Sequence, residues 1–155
     1  MAEKRLNFND TLVSDDLQNQ FLTFVIDSED YGLVVENIKE IITVCDITKV
    51  PHTEEYLKGV INLRGEIIPV IDVRGKFFLP PKEYDKETCI IVIEYSDYSL
   101  GLVVDRVKEV IFINNNNLNA PPKENYDYKN EFIKYIGHFN DEIKLILDID
   151  KLIGN

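Results

Sequence analysis

The sequence has few of the residues that build metal and redox sites, and this shortage excludes several kinds of chemistry. Its 155 residues include two cysteines, two histidines, one methionine and no tryptophan. Cys45 and Cys89 lack the paired spacing of a zinc or dithiol site. His52 and His138 lack metal-ligand spacing, so both are expected to be structural or solvent-facing. We therefore predict no metal and no cofactor.

Positive charge is also scarce, and the apolar runs are short. The chain has 17 basic and 28 acidic residues, which gives a net charge of -11. Nucleic acids and anionic membrane surfaces favour Lys and Arg, so this balance argues against both as partners. No apolar run approaches the roughly 18 residues that span a bilayer, and no secretory signal opens the sequence. We expect a reduced, cytoplasmic protein without membrane insertion.

The sequence also lacks the motifs of common enzymes, such as a Gly-rich phosphate loop or a nucleophile elbow. Asp72 and Asp148 end two predicted strands, and two interpretations are open for them. They could form the carboxylate pair of a small hydrolase, or each could cap a turn. Capping is favoured because the two residues occupy the same place in an internal repeat. We predict a protein that is not an enzyme.

Short apolar and β-branched runs, separated by turn residues, predict an all-β fold. The predicted strands are Phe21–Ile26, Tyr31–Val35, Cys89–Tyr95, Leu100–Val104, Phe132–Phe139 and Ile143–Ile149, together with the hairpin described below. Lys39–Val44 fits either a short strand or one helical turn, and its β-branched residues favour the strand. Thr53 is expected to cap a short helix before that hairpin. Short turns are predicted at Val73–Phe78 and Lys151–Ile153, and a long surface loop at Asn114–Asn130. Residues 1–19 are expected to form a flexible tail.

The hairpin is the most informative stretch of the sequence. Two apolar runs, Val60–Leu63 and Ile67–Ile71, flank a turn that contains Gly65, a residue that readily takes positive φ. Gly59 is expected to allow a bend or a close approach of backbone. Because Pro69 cannot donate a ladder hydrogen bond, the second arm is predicted to be an edge strand or a bulged strand.

Two polar residues fit poorly with a purely structural hairpin. Asn62 interrupts an apolar run, and Arg64 places a five-donor cation where folding does not require one. Asn62 could simply bond the turn backbone while Arg64 is solvated. Alternatively, the pair could belong to a recognition surface. The residues alone leave both interpretations open.

An internal repeat organises the chain. Gly32–Ile42 and Gly101–Ile111 are 69 positions apart and share seven of eleven residues. Ile67–Asp72 has a weaker counterpart at Ile143–Asp148. The duplication predicts two small β-barrels packed together, with approximate halves at 20–81 and 88–155 between which strands can be exchanged.

A set of motifs in this order resembles the CheW family of chemotaxis coupling proteins over Phe21–Ile153. The motifs are Tyr31–Val35 (YGLVV), Lys39–Ile42 (KEII), Ile47–Pro51 (ITKVP), Tyr56–Gly65 (YLKGVINLRG), Ile67–Arg74 (IIPVIDVR), Gly101–Asp105 (GLVVD) and Lys108–Ile111 (KEVI). The resemblance implies two five-stranded SH3-like barrels with short helical turns. It also implies a non-enzymatic adapter that joins chemoreceptor cytoplasmic tips to a CheA-type histidine kinase in membrane-associated signalling arrays. A similar module serving a different receptor–kinase pathway is the alternative.

The resemblance further implies a receptor- or kinase-binding surface. Its residues would be Ile38, Gly59, Asn62, Leu63, Arg64 and Gly65. Ile38 would supply apolar contact, Gly59 would permit close approach of a partner's backbone, Asn62 would order the turn, and Arg64 would anchor polar groups. Glu40 and Glu109 are expected to be exposed, solvated acids. Two positions depart from the family pattern: Glu54 replaces a frequent proline, and Cys89 replaces a common arginine.

Overall fold

The computed structural model describes residues 17–51, 56–122 and 130–154, which form two mainly antiparallel sheets and short helical turns. The strands are β1 (Gln20–Ile26), β2 (Glu29–Val34), β3 (Ile38–Thr43), β4 (Leu57–Leu63), β5 (Glu66–Asp72), β6 (Cys89–Tyr95), β7 (Tyr98–Val104), β8 (Arg106–Phe112), β9 (Leu118–Asn119), β10 (Ile133–Phe139) and β11 (Glu142–Leu147). The helices are α1 (Val73–Lys76) and α2 (Ile149–Ile153). The all-β prediction is confirmed.

The first unit covers Asn37–Val107 and contains a five-stranded sheet in the order β3-β6-β7-β5-β4. Alternate residues of its strands are β-branched, and one face of the sheet buries them together, as a pleated strand requires. This core consists of Ile42, Ile61, Ile68, Val70, Ile90, Val92 and Val103. The polar residues at the strand ends lie at the turns.

The second unit covers the described residues of 17–36 and 108–154, and its sheet has the order β8-β1-β2-β11-β10-β9. Its core contains Phe21, Ile111, Ile113 and Ile146. A 3-10 turn at Leu17–Asn19 precedes β1, and the Asn19 side chain donates to the Ile113 carbonyl at 2.8 Å and to Asn115 Oδ1 at 2.7 Å. Asn19, at the end of the predicted tail, therefore makes defined contacts within this unit, and residues 1–16 of that tail lie outside the described residues.

Strands are exchanged between the two copies of the repeat. Hairpin β6–β7, from the second copy, pairs with β3 and β5 of the first copy. Hairpin β1–β2, from the first copy, shares a sheet with β8 and β11 of the second. The units consequently do not follow the approximate sequential halves 20–81 and 88–155, because each sheet is completed by a hairpin from the other copy.

Both predicted capping aspartates are confirmed. Asp72 precedes α1 and accepts a hydrogen bond from the Arg74 backbone N–H at 3.0 Å. Asp148 precedes α2 and accepts from the Lys151 backbone N–H at 3.2 Å. The two carboxylates accept hydrogen bonds from N–H groups at the helix starts that would otherwise lack partners. Ile149, predicted to lie in a strand, belongs to α2.

Two other predictions need correction. The strand that contains Pro69, predicted to be an edge strand or a bulged strand, is not at an edge: β5 lies between β7 and β4, and β4 is the edge. The pairing of β4 with β5 does change register, but the irregularity lies on β4, between Leu57 and Gly59. Proline is tolerated because the parallel pairing with β7 begins only at Val70. The predicted loop Asn114–Asn130 contains a 3-10 turn and β9, and residues 123–129 lie outside the described part, as does the predicted cap Thr53.

Candidate functional site

The tip of the β4–β5 hairpin is a tight two-residue turn. Leu63 pairs with Glu66 across it, while Arg64 (φ 52°) and Gly65 (φ 90°) both have left-handed backbone. Such turns match the twist of paired strands, and Gly and Asn favour them. Asn62 Oδ1 accepts a hydrogen bond from the Gly65 backbone N–H at 2.9 Å. The predicted bond from Asn62 to the turn backbone is therefore confirmed, although Asn62 is exposed rather than buried.

Arg64 is held by an acid on a different strand. Its guanidinium donates to both carboxylate oxygens of Glu40 on β3, with Nη1 3.3 Å from Oε1. The Glu40 side chain is 10% exposed and the Arg64 side chain 55% exposed. A two-pronged contact of this kind orients the planar cation as well as neutralising the acid. Arg64 is consequently fixed in direction while much of it still faces solvent.

The expectation that Glu40 is a solvated surface acid is wrong, whereas Glu109 is exposed as expected. A carboxylate can be buried at Glu40 because an arginine neutralises it, and unpaired burial would be costly. Strand alternation cannot reveal this pairing, since the partners lie on different strands. The contact between Arg64 and Glu40 is therefore the part of the site that the sequence did not predict.

A second ionic contact links the same strand and hairpin. Lys39 Nζ donates to Ser99 Oγ on β7 at 3.0 Å and lies 3.8 Å from Glu66 Oε1, just after the turn. The pairing of β3 with β6 changes register between Ile38 and Glu40. Such an irregularity redirects side chains, so that Lys39 and Glu40, although consecutive, both reach the hairpin.

Gly59 has an internal reason for being glycine. Its φ is +147°, and a Cβ at this position would lie 2.0 Å from the Thr48 carbonyl oxygen. Thr48 and Val60 exchange two backbone hydrogen bonds of 2.9 Å, which bring the segment around Thr48 alongside β4. The backbone that closely approaches Gly59 is thus that of Thr48 in the same chain.

The six predicted site residues all lie in the first unit but differ in exposure. Arg64, Gly65 and Asn62 are exposed at the hairpin tip, Leu63 is half-buried, and Gly59 is buried. Ile38 is 7% exposed and pairs with Ile93, so little of its side chain faces solvent. Two apolar residues that the prediction omitted are more accessible: Ile67, opposite Asn62 on β5, is 60% exposed, and Tyr98 is 50% exposed. Strand residues alternate between the two faces of a sheet, so Ile67, next to the buried Ile68, could have been predicted to face outward.

The repeat supplies an internal comparison for the tip. In the second unit, Phe139 and Glu142 flank Asn140 (φ 49°) and Asp141 (φ 63°), again two left-handed residues. Asn and Asp suit this backbone because their short side chains bond locally. Arginine has no such advantage, so the turn itself does not account for Arg64.

The two aspartates considered for a hydrolase are engaged in structural contacts. Asp72 Oδ1 accepts from the Arg74 backbone and Oδ2 accepts from the Tyr84 hydroxyl at 2.8 Å. Burial of Tyr84 and this bond raise the pKa of its phenol well above the usual range. Across the described ranges, no group of His, Cys, Asp and Glu side chains is arranged to hold a metal ion. Within the same ranges, no helix is long and apolar enough to cross a membrane.

Comparison with known proteins agrees with this architecture. A family model described as a CheW-like domain matches residues 20–155. The chemotaxis protein CheW of Klebsiella aerogenes is 30% identical over 144 residues, spanning 93% of this chain and 87% of that protein. The chemotaxis protein CheW of Helicobacter pylori is 34% identical over 134 residues, spanning 86% and 81%.

A solved structure shows the same fold. The crystal structure of the scaffolding protein TtCheW from Thermoanaerobacter tengcongensis superposes with a TM-score of 0.81 at 34% identity, covering 88% of this chain and 93% of that one. The predicted resemblance and the SH3-like fold class are thereby confirmed. The predicted count of five strands holds for the first sheet, whereas the second has six because the two-residue strand β9 pairs with β10. That solved protein is named as a scaffolding protein, and with the family match this confirms the prediction of a non-enzymatic protein. The chain belongs to the CheW-like family of chemotaxis scaffold proteins.

Proposed function

We propose that this protein is a cytoplasmic adapter that couples chemoreceptor cytoplasmic tips to a CheA-type histidine kinase, and that it is recruited to membrane-associated receptor arrays. The binding surface comprises the exposed hairpin tip, Asn62–Gly65, with Ile38 and Gly59 shaping the sheet behind it. Signal passes through changes in the relative geometry of the bound proteins, because an adapter contributes contacts rather than chemistry.

The observation that carries this proposal is the placement of Arg64. It occupies a left-handed turn position that arginine does not favour, and it is half-exposed while Glu40 fixes its direction. An oriented arginine is a common anchor in protein interfaces because its fork binds carboxylates and its stem packs against apolar surface. The exposed Ile67 adds apolar area beside it on β5.

The test is co-sedimentation of the protein with receptor cytoplasmic fragments and a CheA-type kinase, together with receptor control of kinase autophosphorylation. We expect wild type to join the complex and Arg64→Glu to lose at least about tenfold in affinity, since one interface anchor typically contributes 2 kcal/mol or more. Because Arg64→Glu removes the cation that neutralises Glu40, the variant should be less stable than wild type, and circular dichroism must show that it is folded at the assay temperature.

Arg106→Glu is the matched control, because it makes the same charge change at another exposed arginine of the first unit, where Glu87 is 3.9 Å away. This variant should bind like wild type. Normal binding by a folded Arg64→Glu variant would remove the hairpin tip from the interface. Failure of wild type to bind either partner would overturn the coupling function itself.

A further inference from the structure

Two ion pairs of opposite polarity connect β3 to the β4–β5 hairpin. In one, the hairpin supplies the cation, Arg64, and β3 supplies the acid, Glu40. In the other, β3 supplies the cation, Lys39, and the hairpin supplies the acid, Glu66. The two hairpin residues flank Gly65, so the second contact holds the turn on the side opposite Arg64. The β4–β5 pairing and the Asn62–Gly65 hydrogen bond hold the turn backbone, and the two ion pairs add side-chain contacts to β3 on either side of Gly65.

The Lys39 contact is anchored on the sheet side. Ser99 is 4% exposed, and its hydroxyl accepts the lysine hydrogen bond at 3.0 Å, which fixes the ammonium over β7. The Lys39 and Glu66 side chains are 35% and 51% exposed, so their attraction is screened by water and adds little to folding stability. Orientation of the tip is therefore the larger effect of this contact.

Equivalent positions in the second unit show that the glutamate after the turn is tied there too. Glu142 corresponds to Glu66, and its Oε1 lies 2.8 Å from the Nζ of Lys144. The counterpart of Lys39 is Lys108, which bonds Asp30 at 3.0 Å. The lysine that contacts Glu142 therefore lies on the same strand, β11, and the counterpart of Lys39 contacts β2 instead of the hairpin. Of the two turns, only that of the first unit contains an arginine to be oriented.

We infer that Lys39 is a positioning residue for the hairpin tip: through Ser99 and Glu66, it sets the direction in which Arg64 meets its partner. This inference rests on the proposed function for its binding readout. The orientation of Arg64 toward its partner then depends on two ion pairs of opposite polarity. The Lys39–Glu66 pair helps to set this orientation but does not itself contact the partner.

The first experiment measures the affinity of Lys39→Met for receptor cytoplasmic fragments. Removing the charge while keeping the chain length should weaken binding roughly fivefold and shift the thermal midpoint by no more than about 2 °C. Lys39→Arg should bind like wild type. Lys108→Met is the matched control, because it removes the repeat-equivalent lysine of the second unit, and it should leave affinity unchanged.

The second experiment exchanges the charges. The double variant Lys39→Glu with Glu66→Lys should restore affinity to within about twofold of wild type, because the pair is re-formed in reverse. In the free protein, the NMR resonance of the Arg64 Nε–Hε group should move in Lys39→Met and return in the exchanged variant. This spectroscopic readout needs no partner.

The outcomes separate the two proposals. If wild type binds and Lys39→Met binds equally well, or loses no more affinity than Lys108→Met, the positioning role is wrong while the adapter function stands. If charge exchange fails to restore the Arg64 resonance, the positioning role is also wrong. If wild type binds no partner, the coupling function falls, and the Arg64 resonance alone decides whether Lys39 orients the tip.

Discussion

The two units contain the same hairpin and use it differently. At the third position after the turn of each hairpin, the first unit has Ile68, which is fully buried among apolar residues. The second unit has Lys144 at the equivalent position, with its side chain 1% exposed and its Nζ 2.6 Å from Asp30 and 2.8 Å from Glu142. One fold therefore accommodates either an apolar contact or a charged network at this point.

The charged network shows what burial of a lysine requires. Burial alone would lower the pKa of Lys144, but its hydrogen bonds to Asp30 and Glu142 outweigh that effect and raise the pKa. For Asp30, burial would raise the pKa, and the bonds from Lys144 and Lys108 reverse this and lower it. The first unit offers no such acid, because Ser99 occupies the position equivalent to Asp30. Its tip is instead held by the Arg64–Glu40 and Lys39–Glu66 contacts, in which the Arg64 side chain remains 55% exposed.

The largest effect is expected from moving the lysine between the units. Ile68→Lys places a charge in the first core without an equivalent of Asp30 and should reduce the free energy of unfolding by about 3 kcal/mol or more. Adding Ser99→Asp supplies the missing acid and should recover roughly 1 to 2 kcal/mol. Urea unfolding followed by circular dichroism measures both values. A second variant as unstable as the first would show that Asp30 does not explain the buried lysine.

A smaller effect is expected at Gly59, where the units also differ, since Tyr135 holds the equivalent position of β10. Gly59→Ala should destabilise the protein by about 2 kcal/mol or more, because the new methyl group meets the Thr48 carbonyl. Gly65→Ala is the control: φ is also positive there, but no atom lies within 4 Å of the added Cβ. It should lose only about 1 kcal/mol. If both variants lost the same free energy of unfolding, backbone strain at positive φ would explain the effect, and the contact with Thr48 would not.

The smallest effect sharpens the comparison of the two turns. Asn140→Arg puts arginine into the left-handed turn of the second unit, where the equivalent of Glu40 is the exposed Glu109, and should destabilise the protein by about 1 kcal/mol. Asn140→Gly should change stability by less than about 0.5 kcal/mol. Chemical denaturation distinguishes the two. If Asn140→Arg leaves the free energy of unfolding unchanged, arginine is as stable as asparagine in such a turn. The left-handed backbone of Arg64 would then no longer argue for a role outside the turn.

Much of the local structure could be predicted from sequence because its causes are local. Apolar runs around Gly65 identify the hairpin, and Asp72 and Asp148 precede helices that need caps. The bond from Asn62 to the turn spans three residues. Each of these features depends on neighbours in the chain, so a pattern over a few positions contains the necessary information.

The missed features depend on residues that are distant in sequence. Burial of Glu40 requires Arg64, which is 24 positions away, and the reason for Gly59 is the backbone of Thr48 on another segment. Strand β8 was not predicted from its own alternation, because Lys108 and Glu109 are adjacent and both exposed. Its equivalence to β3 in the repeat would have identified it. The repeat allows strands to be exchanged between the halves, but composition and spacing do not indicate that the hairpins β1–β2 and β6–β7 are the ones exchanged.

This exchange has a consequence for the order of events on the ribosome. The described residues of the first unit all fall within positions 37–107, whereas β2 must wait for β11, and their bonded residues Asp30 and Lys144 are 114 positions apart. At translation rates of about 5 to 20 residues per second, the β1–β2 hairpin spends roughly 6 to 23 seconds without that partner. During this interval, β3 and β5 emerge, and the repeat makes them suitable partners for β1–β2. The nascent chain must therefore reject an early pairing within one repeat in favour of a later pairing between repeats.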